Sequence, residues 1–214
     1  MNNASHIAFF VVAFLLLQSC KDNSRTISAD SVGKHESPEA ITTAMNSEKK
    51  NENDEPYKKS AHRFTSVEEG VDVQVGSIIS IYLKIKNDLV RSDSNAASSD
   101  ASLFAGKTSG FDRSYLSLSQ KTIYDEQFSQ VASRMQAISV SKNIAQQRSL
   151  FAALTKHVYE FAKAFGFTQT LYASRCPMAM NGKGAMWLSS DPEIQNPYYG
   201  DAMLTCGKLI EEIY

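Results

Sequence analysis

Phe151, Leu154, Val158, Phe161 and Phe165 lie three or four positions apart, on one face of a 3.6-residue helix. A stripe of five large apolar side chains, three of them aromatic, must be covered by other elements, so this face commits the chain to a packed core. The ends of the segment agree with that. Asn143 suits the N-cap, with Gln146 three residues on able to close a capping box. Gly166 suits the position just past the last turn, where a left-handed backbone costs glycine little.

Three more helices are expected before this one. Ile78, Tyr82, Ile85 and Leu89, with Ile81 beside them, make a first stripe. "SNAASSDASLFAGKTSG" follows with small, helix-tolerant residues and predicts a second, less apolar helix that ends near Gly106 or Gly110. Tyr124, Phe128, Val131, Met135 and Ile138 make the third stripe. Four amphipathic helices with short connections predict a mostly α protein, a small up-and-down four-helix bundle. After Gly166 the helical period stops. "FTQTLYASR" reads as a short strand or extended segment, and "GKLIEEIY" as a short strand or helical turn. Between them lies a long ordered loop region with room for a short hairpin.

The chain ahead of the bundle is of another kind. Residues 21–66 are rich in Lys, Asp, Glu, Asn and Ser and poor in large apolar residues. Such a segment cannot bury enough apolar surface to offset its ordering entropy, so a flexible tether is expected over 20–69 and the folded domain over 70–214. Residues 7–17, "IAFFVVAFLLL", are apolar without a break. That run is shorter than the roughly 20 residues that span a bilayer and fits the core of a secretory signal peptide. "LQSC", Leu17 to Cys20, resembles the lipobox of bacterial lipoproteins. The resemblance implies removal of residues 1–19 and a covalent lipid on Cys20. It also implies a cell-envelope location by lipid anchor, with Lys21 favouring the outer membrane facing the periplasm.

A formal net charge of −1 gives no reason to expect nucleic-acid binding. Neither a Gly-rich phosphate loop nor a G-x-S-x-G elbow is present in the sequence. A thiol enzyme would need His157 beside a cysteine and a third orienting group that the sequence does not offer. No catalytic residue is assigned, and a non-enzymatic protein is expected.

What remains is sulfur. From Cys176 to Gly207 the chain holds two cysteines, four methionines, its only tryptophan and three of its five prolines. Cys176 and Met178 form C-P-M near one end, and Met203 and Cys206 form M-x-x-C near the other. Thiolates and thioethers are soft donors that select Cu(I), and by the same softness Ag(I), over Mg, Ca or Mn. His157 is a candidate additional ligand. Cys176 and Cys206 also suit a disulfide, which over a loop of this length would contribute about 3–4 kcal/mol, or a pair of buried free thiols. Trp187 is expected to plug the loop onto the bundle. Asn196, Pro197, Tyr198, Tyr199 and Gly200 read as a turn with two aromatic anchors.

C-P-M-A at Cys176, G-A-x-W-L-S from Gly184, I-x-N-P-Y-Y-G from Ile194 and M-L-x-C-G from Met203 occur in that order. With "QQRSLF" from Gln146 and "YLKIKNDLV" from Tyr82, this resembles an uncharacterised bacterial domain of unknown function. That domain is found in secreted proteins and lipoproteins, and at the C-terminal end of periplasmic adaptor subunits of copper/silver-type heavy-metal efflux pumps. The resemblance implies a metal-efflux neighbourhood, with such an adaptor as a partner, and no reaction. The expected function is therefore an envelope lipoprotein that holds Cu(I) or Ag(I) through Cys176, Met178, Met203 and Cys206. Its alternative is a structural or protein-interaction module stapled by Cys176–Cys206.

Overall fold

The structure is a computed structural model and describes residues 57–214; the signal-peptide and lipidation expectations, Cys20 included, lie outside the described residues. Four helices, α1 (Glu69–Val90), α2 (Ser94–Thr108), α3 (Leu118–Val140) and α4 (Ile144–Phe165), precede most of a small sheet. Its strands are β1 (Lys58–Ser60), β2 (Leu171–Cys176), β3 (Ala185–Ser189) and β4 (Lys208–Ile213), in the order β1-β4-β2-β3. β1 runs parallel to β4, and the other pairings are antiparallel. No helix among the described residues is long and apolar enough to cross a membrane.

Each helix packs on its neighbour in sequence, and α4 closes the bundle against α1. The predicted stripes face inward. Ile78, Tyr82, Ile85 and Leu89 of α1 are fully buried, as are Phe151, Leu154, Val158 and Phe161 of α4. Tyr82 stacks on Phe151 with ring centroids 4.8 Å apart. The small residues of α2 are used as spacing: Ala97 and Ala101 are buried and let that helix sit close, while Phe104 reaches the core beside Phe128.

The helix ends refine the reading. Asn143 caps α4, its Oδ1 accepting the Gln146 N–H at 3.0 Å. The expected capping box does not close there. Ser141 Oγ donates to Gln146 Oε1 at 2.9 Å and accepts the Asn143 N–H at 3.3 Å, so it takes both groups the box would have joined. A complete box forms instead on α3, where Ser117 and Gln120 satisfy each other reciprocally. Gly166 has φ 80°, and a Cβ there would lie 2.9 Å from the His62 ring. Both the backbone and that neighbour require glycine.

The ordered domain begins earlier than residue 70. Lys58–Ser60, placed by the sequence reading in the tether, form β1. The sequence signal fails because an edge strand is held by its backbone and needs no apolar side chain. Lys59 pairs with Glu212 at 3.3 Å, and Ser60 Oγ donates to Glu211 at 2.6 Å. Just beyond, the N–H groups of Arg63 and Phe64 donate to the carbonyls of Lys163 and Ala164. Those are last-turn carbonyls of α4 that no residue within the helix can satisfy.

The rest of the sheet follows α4, with one strand, β3, inside the expected loop region. β2 and β3 form the short hairpin, and β4 adds on the other side of β2. β3 packs on α4 and α1. Tyr82 locks this junction: its hydroxyl accepts the Leu188 N–H at 2.9 Å and lies 3.0 Å from Thr155 Oγ1.

Candidate functional site

Cys176 is the last residue of β2 and is fully buried. After Pro177 the chain reverses through Met180, Asn181 and Gly182, all with positive φ, and returns as β3. Cys206 comes 30 residues later, partly exposed, between the 3-10 turn Gly200–Met203 and β4. The two Sγ atoms lie 2.7 Å apart, with both cysteines as free thiols.

The N-P-Y-Y-G segment holds the two sulfur arms in place. Asn196 is fully buried, and its Nδ2 donates to the carbonyl of Cys206 at 2.7 Å. Its Oδ1 accepts the Tyr198 N–H at 2.8 Å, and its own N–H donates to Leu204 O at 2.8 Å. The Tyr199 hydroxyl donates to Met178 O at 2.7 Å, so one tyrosine grips the C-P-M arm. The Tyr198 hydroxyl donates to Met186 O on β3. Gly200 has φ 56°, and a Cβ there would lie 2.6 Å from Ser92 Oγ, against the end of α1. The five residues expected to form an aromatic-bearing turn do so. What their spacing did not reveal is that the turn bridges Cys176, Cys206 and the bundle.

Arg148 completes the bridge. Its Nε donates to Pro197 O at 2.9 Å, and its Nη2 to Ser92 Oγ at 2.9 Å and Leu89 O at 3.2 Å. Sequence reasoning gave Arg148 no role. The available signal is a cation one turn before Phe151, beside a helix face that is otherwise apolar. Trp187 lies under the other arm. It is fully buried, meets Tyr198 edge-on at 6.2 Å, and seats its ring so closely on Gly207 that a Cβ there would come within 2.6 Å.

The remaining predicted residues are spread out. Met178 and Met203 flank the thiols in sequence, and both side chains are exposed, at 55% and 37%. Met180 and Met186 are half-buried and pack against the core. His157 is on α4, where its Nδ1 pairs with Gln127 Oε1 of α3 at 2.8 Å. Burial, then the Arg134 and Lys156 charges, lower its pKa. No group of three or more His, Cys, Asp or Glu among the described residues could hold a metal ion. A cation at this site would rest on two thiolates and whatever thioether swings in.

The electrostatics of the pair are those of two thiols sharing a contact. The hydrogen bond with Cys176 is the main cause that pushes the Cys206 thiol up to about 11, with burial second and the Cys176 charge third. At neutral pH Cys206 therefore keeps its proton until something stronger displaces it. The separation also has a chemical meaning. It exceeds a covalent S–S bond of about 2.05 Å. It falls short of the roughly 3.7 Å between two sulfurs that share a tetrahedral ion at bonds of about 2.3 Å.

Residues 78–170 match the family model described as protein of unknown function (DUF3347). The matched segment runs from within α1 to the residue before β2. The helical part is thus similar to an uncharacterised domain of unknown function, and the sulfur-bearing strands lie beyond the match. No curated protein and no solved structure matches the chain.

Proposed function

We propose that this protein is a non-enzymatic envelope lipoprotein, anchored through Cys20, that captures Cu(I) or Ag(I) between Cys176 and Cys206. It would buffer the ion or pass it to a heavy-metal efflux system. The observation that carries the reading is the convergence of two thiols from distant parts of the chain, held by a built-in bridge. Soft monovalent ions favour thiolate and thioether over oxygen. Capture displaces both thiol protons, because thiolate is the ligand form. The exposed Met178 and Met203 can swing toward the bound ion as neutral, exchangeable donors. His157 has its Nδ1 engaged on α3 and is given no part.

A second reading has its own support. At 2.7 Å the sulfurs are closer than one shared ion allows, which favours a module stapled by a Cys176–Cys206 disulfide. Anaerobic titration of the reduced protein with Cu(I) against a competing chelator separates the two. One equivalent should bind, and Cys176→Ser or Cys206→Ser should abolish uptake. Met203→Leu should weaken it about tenfold, the equivalent of about 1.4 kcal/mol. Equal uptake by wild type and both cysteine variants would remove the metal reading.

A further inference from the structure

We infer that Cys176–Cys206 is a reversible dithiol–disulfide couple that gates the metal site, with Cys206 as the sulfur through which a dithiol partner enters. The gating half rests on the metal reading above; the couple itself does not. Three observations carry it: the 2.7 Å separation, the unequal burial of the two sulfurs, and the asymmetry of their supports.

The separation means that closing the bond needs only a small movement. Burial sets the direction of attack. Cys176 is fully enclosed at the end of β2, whereas Cys206 sits partly exposed ahead of β4. Cys176 is framed by strand pairing, Arg175 to Lys208 on one side and Cys176 to Ala185 on the other. Cys206 is outside the ladder and is held chiefly by its carbonyl bond from Asn196 and its N–H bond to Met203 O. The arm that can move is the exposed one.

In the reducing direction a partner thiolate attacks Cys206 Sγ. The Cys176–Cys206 bond breaks, and Cys176 leaves as a thiolate that takes up a proton. A mixed disulfide now joins Cys206 to the partner. The partner's second thiol, as thiolate, attacks its own sulfur in that bond and frees Cys206, which is protonated in turn. Two electrons pass to this protein, and the partner ends as the disulfide. With both sulfurs bound to each other, neither can act as a thiolate ligand, so the ion is accepted only by the reduced form. The partner is thus identified by chemistry as a protein or small molecule presenting two neighbouring thiols.

The full chain tests this with glutathione disulfide as oxidant and dithiothreitol as the dithiol. Oxidation should remove two free thiols and yield one intramolecular disulfide, mapped by mass spectrometry to Cys176 and Cys206. Fluorescence of Trp187, the only tryptophan, should change with it, because that ring rests on Gly207. Cu(I) uptake should fall at least about tenfold on oxidation and return with dithiothreitol. Failure to form the intramolecular bond overturns the couple and leaves the metal reading standing. A bond that closes and reopens in a protein whose reduced form takes no Cu(I) keeps the couple and removes both the gate and the metal reading. Uptake unchanged by oxidation removes the gate alone.

Entry at Cys206 is tested separately. In the Cys176→Ala protein, Cys206 should acquire a glutathionyl group about tenfold faster than Cys176 does in Cys206→Ala. Equal rates, or Cys176 reacting faster, would overturn the assignment of the entry sulfur.

Discussion

Trp187→Ala is expected to lower stability by about 3–5 kcal/mol, the cost of emptying a fully enclosed aromatic site that its neighbours cannot refill. For a domain of this size that is a melting temperature lower by roughly 6–20 °C. The indole is fully buried, is braced edge-on by Tyr198, and is the surface on which Gly207 lies. Its loss should therefore loosen the Cys206 arm as well as the core, and alkylation of both thiols should quicken in the same sample. Trp187→Phe should cost much less. The Trp187 Nε1 is buried without a hydrogen-bond partner, so removing it relieves a penalty of about 1–3 kcal/mol that partly offsets the lost volume. Urea unfolding followed by far-UV circular dichroism reads both variants. A loss below about 1 kcal/mol for Trp187→Ala would mean that the ring is not the wedge between sheet and bundle.

Glu211→Ala should cost about 3 kcal/mol at neutral pH, because it strands the partners of a buried carboxylate. Glu211 is 5% exposed. Its Oε1 accepts Ser60 Oγ at 2.6 Å and Lys163 Nζ at 2.7 Å, and its Oε2 accepts the Tyr159 hydroxyl at 2.6 Å. One side chain thus ties β1, β4 and α4 together. Burial by itself would raise its pKa, but the bonds from Lys163, Ser60 and Tyr159 outweigh that and hold it at about 2. A depressed carboxyl contributes stability above its unfolded value of 4.5 and loses it as pH falls toward 2. Asp88 has the opposite sign. Burial first, then the neighbouring Asp100 carboxylate, push it up to about 6, and its contribution is lost as pH rises from about 4 to 6. Taken together, the contributions of these two groups are largest at about pH 4. Glu211→Gln should flatten the limb on the acid side, and Asp88→Asn the limb between pH 4 and 6. Unfolding midpoints across a pH series check both. An acid limb unchanged in Glu211→Gln would show that the cluster does not set it.

The sequence by itself determined the four helices. An apolar residue every three or four positions has one way to bury its stripe, and local signals such as Asn143 and Gly166 mark ends without help from distant parts of the chain. It also singled out the N-P-Y-Y-G turn and the two cysteines, because Pro and Gly report backbone shape and Cys reports chemistry wherever they stand. Only the tertiary structure decided what these residues do together. β1 carries no apolar pattern, since an edge strand is held through its backbone, and so the charged composition of 58–60 pointed to a tether. Arg148 reads as one more helical cation until folding brings Pro197, Leu89 and Ser92 to its guanidinium. The contact of Cys176 with Cys206 joins residues 30 positions apart through a turn, two strands and a tyrosine. No local spacing encodes that distance, because it is the sum of packing choices made across the whole sheet.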